Sequence, residues 1–213
     1  MNAVVPSTGP DLIVRDIRRG LTEGRYVPGQ RLAEPDLMRR YAVSRSTVRE
    51  ALGRLAAEGL VRLDPHRGAR IRMLSRAEAA DVLRVAEVML GLAARCAAER
   101  TARGAPTAHF SQAAEAFLAA PDDPARRARY YAELARLSGN REIERLLPAI
   151  HVPLLRAQLS LPAQDGVAEH RRLVQAVLSG GANRAEASVR RHLRRILALL
   201  PDLPDTRFSN GAG

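Results

Sequence analysis

The chain of 213 residues has no lysine, no tryptophan, one cysteine and only 3% aromatic residues. Each shortage excludes something. A single thiol, Cys96, cannot form an internal disulfide and fits a reducing compartment. No apolar run approaches the roughly 20 residues that cross a bilayer. The first residues, Met1-Asn2-Ala3-Val4-Val5-Pro6, lack the basic stretch and apolar segment of a secretory signal. A soluble, cytoplasmic protein with no membrane partner is therefore expected. Glycine-rich phosphate loops, paired cysteines and a His-Glu metal signature are also missing. Cys96 lies beside Ala97 and Ala98 in a helical stretch and reads as a small core residue, so no catalytic residue is assigned and an enzyme is not expected.

Arginine is what the chain has in excess. All 34 basic residues are Arg, and the net charge is +11. Residues 1–74 carry +6 of it, while the remainder, almost twice as long, carries +5. A positive excess densest in the first third is expected of a segment that meets phosphates. Apolar residues at 46% and charged residues at 27% are a globular balance.

Periodicity divides the chain. Residues 1–10, with Pro6, Ser7, Gly9 and Pro10, read as a flexible arm. From Asp11, the spacing of Ile13, Ile17 and Leu21 predicts a helix that stops near Gly24. A short second helix is expected over Leu37 to Tyr41, with Pro35 tolerable in its first turn. A tight turn at Ala42-Val43 leads to Ser44, a good N-cap, and to a third helix running to Glu58 with Gly59 as its stop. Two short strands follow, carried by Val61 and Leu63 and then by Ala69, Ile71 and Met73, around the turn residues 64–68. Beyond Ser75 six helices are expected, at 76–102, 107–119, 124–138, 141–160, 166–179 and 183–200, and residues 201–213 read as a flexible tail.

The predicted fold is thus mostly α. A winged helix-turn-helix, three helices plus a β-hairpin wing, spans 11–74, and an all-α antiparallel bundle of six helices spans 75–200. In the third helix Val48, Ala51, Leu52 and Leu55 share a packing face. Arg45 and Arg49 stack one turn apart beside it, and Ser46 and Thr47 add hydroxyls at the positive end of the helix dipole. Arginine can grip guanine O6 and N7 in the major groove, and hydroxyls suit phosphate oxygens.

The stretch Tyr41-Ala42-Val43-Ser44-Arg45-Ser46-Thr47-Val48-Arg49-Glu50-Ala51-Leu52, with Leu55, Glu58-Gly59-Leu60-Val61 and Arg67-Gly68, resembles the GntR-family winged helix. The resemblance implies that Arg45, Ser46, Thr47 and Arg49 contact operator DNA, that Ser44 opens the reading helix, and that Arg67 and Gly68 form a wing tip approaching the minor groove. Pro35 and Ala33 depart from the family, which often has Arg and a capping Ser there.

Leu134–Asn140, Glu169-His170-Arg171-Arg172-Leu173 and His192-Leu193 resemble the ligand-sensing domain of the FadR subfamily, in its shorter VanR-like branch. Many relatives hold a divalent metal there through one Asp and three His. His170 and His192 match two of these ligands, but Arg127 and Tyr131 occupy the places of the Asp and another His. Guanidinium cannot ligate and phenol is a poor substitute for imidazole, so no metal cofactor is expected. The two histidines could share one interior site or each be satisfied by a local hydrogen bond. An inward Arg127 would give that site a positive charge suited to an anion. Ala86 and Leu90 replace an Arg and a Glu usual near the start of this domain. The effector set is then Arg127, Tyr131, His170 and His192.

A homodimeric, effector-responsive transcriptional repressor on double-stranded DNA is the leading expectation, since one winged helix offers few contacts. Non-specific, nucleoid-like binding by charge alone is the alternative, and an enzyme fused to a DNA-binding module a weaker one.

Overall fold

Helix α1 (Gly9–Thr22) begins inside the expected arm: Gly9 and Pro10 are helical, and Pro10 sits in the first turn, where its missing N–H matters least. The structure, a computed structural model, describes residues 9–64, 68–161 and 166–209, so the rest of that arm, 1–8, lies outside the described residues. Ile13, Ile17 and Leu21 of α1 are buried, as their four-residue spacing predicts. Gly24 and Gly29, at φ 74° and 80°, turn the chain into a two-residue strand β1 (Arg31–Leu32). Two residues carry no alternation to read, and the sequence had not announced this strand.

Helix α2 (Glu34–Tyr41) starts three residues earlier than expected, with Pro35 in its first turn. Ala42 then takes the left-handed conformation at φ 52°, and its N–H bonds to the Met38 carbonyl. That tight turn aims α3 (Arg45–Ala57), whose Val48, Ala51, Leu52 and Leu55 are buried and which packs against both α1 and α2. Strands β2 (Val61–Asp64) and β3 (Gly68–Ile71) pair antiparallel, and β1 joins the other side of β3, giving the order β1-β3-β2. The wing is therefore a three-stranded sheet rather than a bare hairpin. Met73, expected in the strand, lies beyond its end at Ile71.

The chain divides into two units, Met1–Met73 and Leu74–Gly213. In the second, α4 (Arg76–Ala102) opens with a capping box in which Ser75 and Glu78 each bond the other's backbone N–H. The helices α5 (Ala108–Ala119), α6 (Pro124–Ser138), α7 (Arg141–Leu146), α8 (Val152–Leu159), α9 (Val167–Leu178) and α10 (Ala182–Leu199) follow. One long helix over 141–160 was expected. Pro148 and Pro153 break it, because each removes an amide donor; residues 147–150 form a 3-10 turn and His151 is left-handed at φ 55°. The second unit thus has seven α-helices among its described residues rather than six. Helix α4 is central, packing on α6, α8, α9 and α10. Fully buried Ala86, Ala93, Ala94, Ala97 and Ala98 give it a small-residue face in a core poor in aromatics.

The expected loose tail is ordered as far as Ser209. Two 3-10 turns at 200–202 and 205–207 lead to buried Phe208. The Arg76 guanidinium lies 4.3 Å from its ring centroid, and the Ser209 N–H bonds to the Leu74 carbonyl at 3.1 Å. Short proline-rich turns lack periodicity, so nothing in the sequence marked this packing. Residues 210–213 lie outside the described residues. No helix among the described residues is long and apolar enough to cross a membrane.

Candidate nucleic-acid interface and effector pocket

Ser44 has extended backbone at φ −70°, ψ 161°, and its Oγ accepts the Thr47 N–H at 3.3 Å, closing the first turn of α3 as an N-cap should. The same Oγ lies 2.8 Å from Ser46 Oγ and 2.9 Å from Thr47 Oγ1, so three hydroxyls cluster at the positive end of the helix. Ser44, Arg45, Ser46 and Arg49 are exposed. Thr47 is half-buried: its methyl faces Gly9 of α1, where an added Cβ would come within 2.9 Å. The predicted reading set is thus assembled on one end and flank of α3, with an apolar back behind it.

Glu34, in the first turn of α2, was not singled out from the sequence. Its carboxylate lies 2.7 Å from Arg45 Nε and 4.0 Å from Arg49 Nε. It gathers both guanidiniums on one side of the helix. Exposed ion pairs contribute about 0–1 kcal/mol, so exchanging this carboxylate for phosphate or base edges costs little. A guanidinium at each of two turns plus a carboxylate across a tight turn is a pattern visible only once α2 and α3 are placed.

Strand pairing adds a second basic feature. Arg31 lies opposite Arg70, and Arg70 opposite Arg62, so three arginines cross β1, β3 and β2 in one row on the exposed face. Asp64 moderates it, 3.1 Å from Arg62 Nε and 3.8 Å from Arg70 Nε. Gly68 opens β3 opposite Asp64 with φ 86°, a conformation that favours glycine. Arg67 lies outside the described residues.

In the second unit, His170 and His192 share one interior, their ring centroids 4.5 Å apart. His170 donates from Nδ1 to the Gly166 carbonyl at 2.7 Å, and its Nε2 accepts from the Tyr131 hydroxyl at 2.9 Å. Burial, then the neighbouring His192, push its pKa down to about 3, so the ring is neutral. His192 donates from Nδ1 to Glu169 Oε2 at 2.6 Å, and Arg195 Nε lies 3.2 Å from the other oxygen of that carboxylate. Gly166 permits this approach: a Cβ there would lie 2.9 Å from His192 Cε1.

Arg127 is buried, as the anion reading requires, but its guanidinium is turned onto the Phe117 ring, 4.9 Å from the centroid, and donates to the Pro121 carbonyl. Burial and the repulsion of Arg156 lower its pKa to about 10. A cavity of about 30 Å³ lies among α4, α6, α8 and α10, lined by leucine, valine and isoleucine side chains and by Tyr131, Arg156 and His192. Of the four predicted effector residues, Tyr131 and His192 line this cavity while Arg127 and His170 do not. Arg156 was missed. Its signal was there, one cation inside the apolar run Val152 to Leu159.

The residues at the expected metal position do not fit a metal. Arg127 and Tyr131 replace two donors, and both nitrogens of His170 are hydrogen-bonded within the protein. No group of three or more His, Cys, Asp or Glu among the described residues could hold an ion.

Comparison with known proteins matches residues 11–71 to the model for bacterial regulatory proteins of the gntR family and residues 81–195 to the FCD domain. The chain is 26% identical over 97% of its length to 91% of a Paenarthrobacter nicotinovorans protein named as a probable D-xylose utilization operon transcriptional repressor. It is 38% identical over 31% of its length to 29% of the HTH-type transcriptional repressor RspR of Escherichia coli K12. Its fold matches a GntR regulator structure from Rhodococcus sp. RHA1 with a TM-score of 0.77 at 20% identity, over 92% of this chain and 98% of that one.

Proposed function

Because this chain belongs to the GntR family of bacterial transcription regulators and joins the family's DNA-binding domain to an FCD domain, we propose that it is a cytoplasmic, homodimeric repressor that reads its operator with the first turn of α3 and releases or gains it in response to a small anion bound in the helical unit. It is a regulator and not an enzyme. The observation that carries the operator reading is the exposed set Ser44, Arg45, Ser46 and Arg49 on a helix whose opposite face is buried. Arg31, Arg62 and Arg70 on the wing sheet would hold phosphates, together with the wing tip at Arg67 and Gly68, and position without specifying. Repression is supported by the names of two relatives.

Two heads on one two-fold axis read an inverted repeat. Genomic fragments selected by the purified protein should therefore share a short inverted repeat. Recovery of fragments without any shared sequence, in proportion to their abundance, would instead favour binding by charge alone.

No metal takes part in this reading. Protein purified without chelator should contain well under one zinc, nickel or manganese per chain by elemental analysis, and a stoichiometric, chelator-resistant ion would contradict it.

A further inference from the structure

Resting on the reading of the protein as a two-headed operator binder, we infer that Gln158 is a positioning residue: it clamps the first residue of the helical unit and so restricts the half-site spacing that the operator can have. The clamp is built on the backbone of Leu74. Gln158 of α8 accepts the Leu74 N–H and donates to the Leu74 carbonyl, each at 2.8 Å. Both residues are buried. A primary amide carries an acceptor and a donor side by side, the complement of a residue's own N–H and C=O. Buried backbone groups must find partners within the protein, and Leu74 finds them in a side chain fixed on a helix.

The C-terminal segment holds the same point a second time. The Ser209 N–H also donates to the Leu74 carbonyl, at 3.1 Å. Arg76, two residues further on, donates to the Leu200 and Leu203 carbonyls, pairs with Asp205 at 2.6 Å and lies over the Phe208 ring. Arg207 donates to the carbonyl of Leu159, the last residue of α8. Residues 200–209 therefore tie the end of α8 to the beginning of α4, and Leu74 is held from both.

What the clamp restrains follows from how little chain precedes it. Within the DNA-binding unit the Arg72 N–H still bonds to the Leu60 carbonyl at 2.9 Å. Met73, the last residue of that unit, alone separates this bond from clamped Leu74. Each residue brings only two soft torsions and about 3.8 Å of reach, so a joint of one residue has little slack. Without Gln158 the torsions of Leu74 join those of Met73, and the joint doubles before the Ser75 cap of α4 stops it. Spacing is where such slack shows. Each base pair added between two half-sites moves them apart by about 3.4 Å and turns one about 35° round the duplex. Stiff joints cannot follow that change, and looser ones follow part of it.

The test measures binding of the full-length protein to its selected operator, to operators lengthened at the centre by one, two and four base pairs, and to an isolated half-site. Wild-type affinity should fall roughly 100-fold on the two-base-pair insertion, toward that of the half-site. Gln158→Met keeps the bulk and removes both bonds. It should lose only about 10-fold on the same insertion while binding the half-site as wild type does. A chain ended at Arg207, which lacks Phe208 and Ser209, should give an intermediate profile. A Gly-Ser pair inserted between Met73 and Leu74 should flatten the profile with the clamp intact. A residue that served stability alone would leave the dependence on spacing unchanged in every folded variant. The wild-type profile in Gln158→Met, or in the chain ended at Arg207 should Gln158→Met not fold, would overturn the clamp, as would a wild-type protein indifferent to spacing. Wild-type protein that binds operator as a monomer, or no better than random duplex, would instead overturn the two-headed reading, and the clamp with it.

Discussion

Replacing Leu92 by Glu together with Val88 by Asp is expected to give a folded monomer that binds operator roughly 10²- to 10⁴-fold more weakly, the loss that follows when two tethered heads become two separate ones. Val85, Val88 and Leu92 of α4 are 48%, 56% and 42% exposed, and their spacing of three and four places them on one face. The opposite face of α4 is already filled by Ala86, Leu90, Ala93, Ala94 and Ala97. In the proposed homodimer this apolar stripe on the central helix would face a second copy of the chain, since one two-fold axis would cover both stripes at once. Because these side chains are exposed within the chain, charge there should disturb association more than folding. Analytical ultracentrifugation beside an operator titration separates the two effects. A double variant that still sediments as a dimer would place the interface elsewhere.

The second large effect belongs to Arg45 and Arg49. Each replacement by Ala should weaken operator binding roughly 5- to 150-fold, the value of one bidentate contact between arginine and guanine, and should relax the base preference at one position in each half-site. Neither side chain contributes to the core, since both are exposed, and Ala is a good helix former at both positions. The loss should therefore not be a loss of fold, and the thermal transition of the DNA-binding unit should stay near that of the parent. Removing either arginine also leaves Glu34 with one cation fewer, so its carboxylate would repel phosphate more strongly. Binding to random duplex should fall by less than binding to operator. If operator and random duplex were weakened in the same ratio, these arginines would be contributing charge alone.

Much of this was legible because it rests on short-range rules. The stripe of Ile13, Ile17 and Leu21, the cap at Ser44 and the alternation around Arg62 and Arg70 are local patterns, and the helices and strands follow them. What could not be read is pairing between distant residues. Strand β1 has two residues and exists only because Arg31 and Leu32 find β3. The break in 141–160 was written in Pro148 and Pro153, but the strong apolar periodicity around them masked it. Arg127 is inside, the condition the anion reading set, yet the Phe117 ring and the Pro121 carbonyl take its guanidinium, and Arg156 reaches the cavity instead. Glu34 and Gln158 act across 11 and 84 residues of sequence, and no periodicity reports a contact of that kind.

Dimethyl sulfate protection of guanine N7 on the operator probes the meeting of α3 with the bases most directly, because a guanidinium seated on O6 and N7 shields that nitrogen. Wild-type protein should protect major-groove guanines symmetrically in both half-sites, and Arg45→Ala and Arg49→Ala should each restore reactivity at a different guanine. Guanines that stay fully reactive under bound wild-type protein, or protection identical in all three proteins, would contradict the assignment of this helix as the reader.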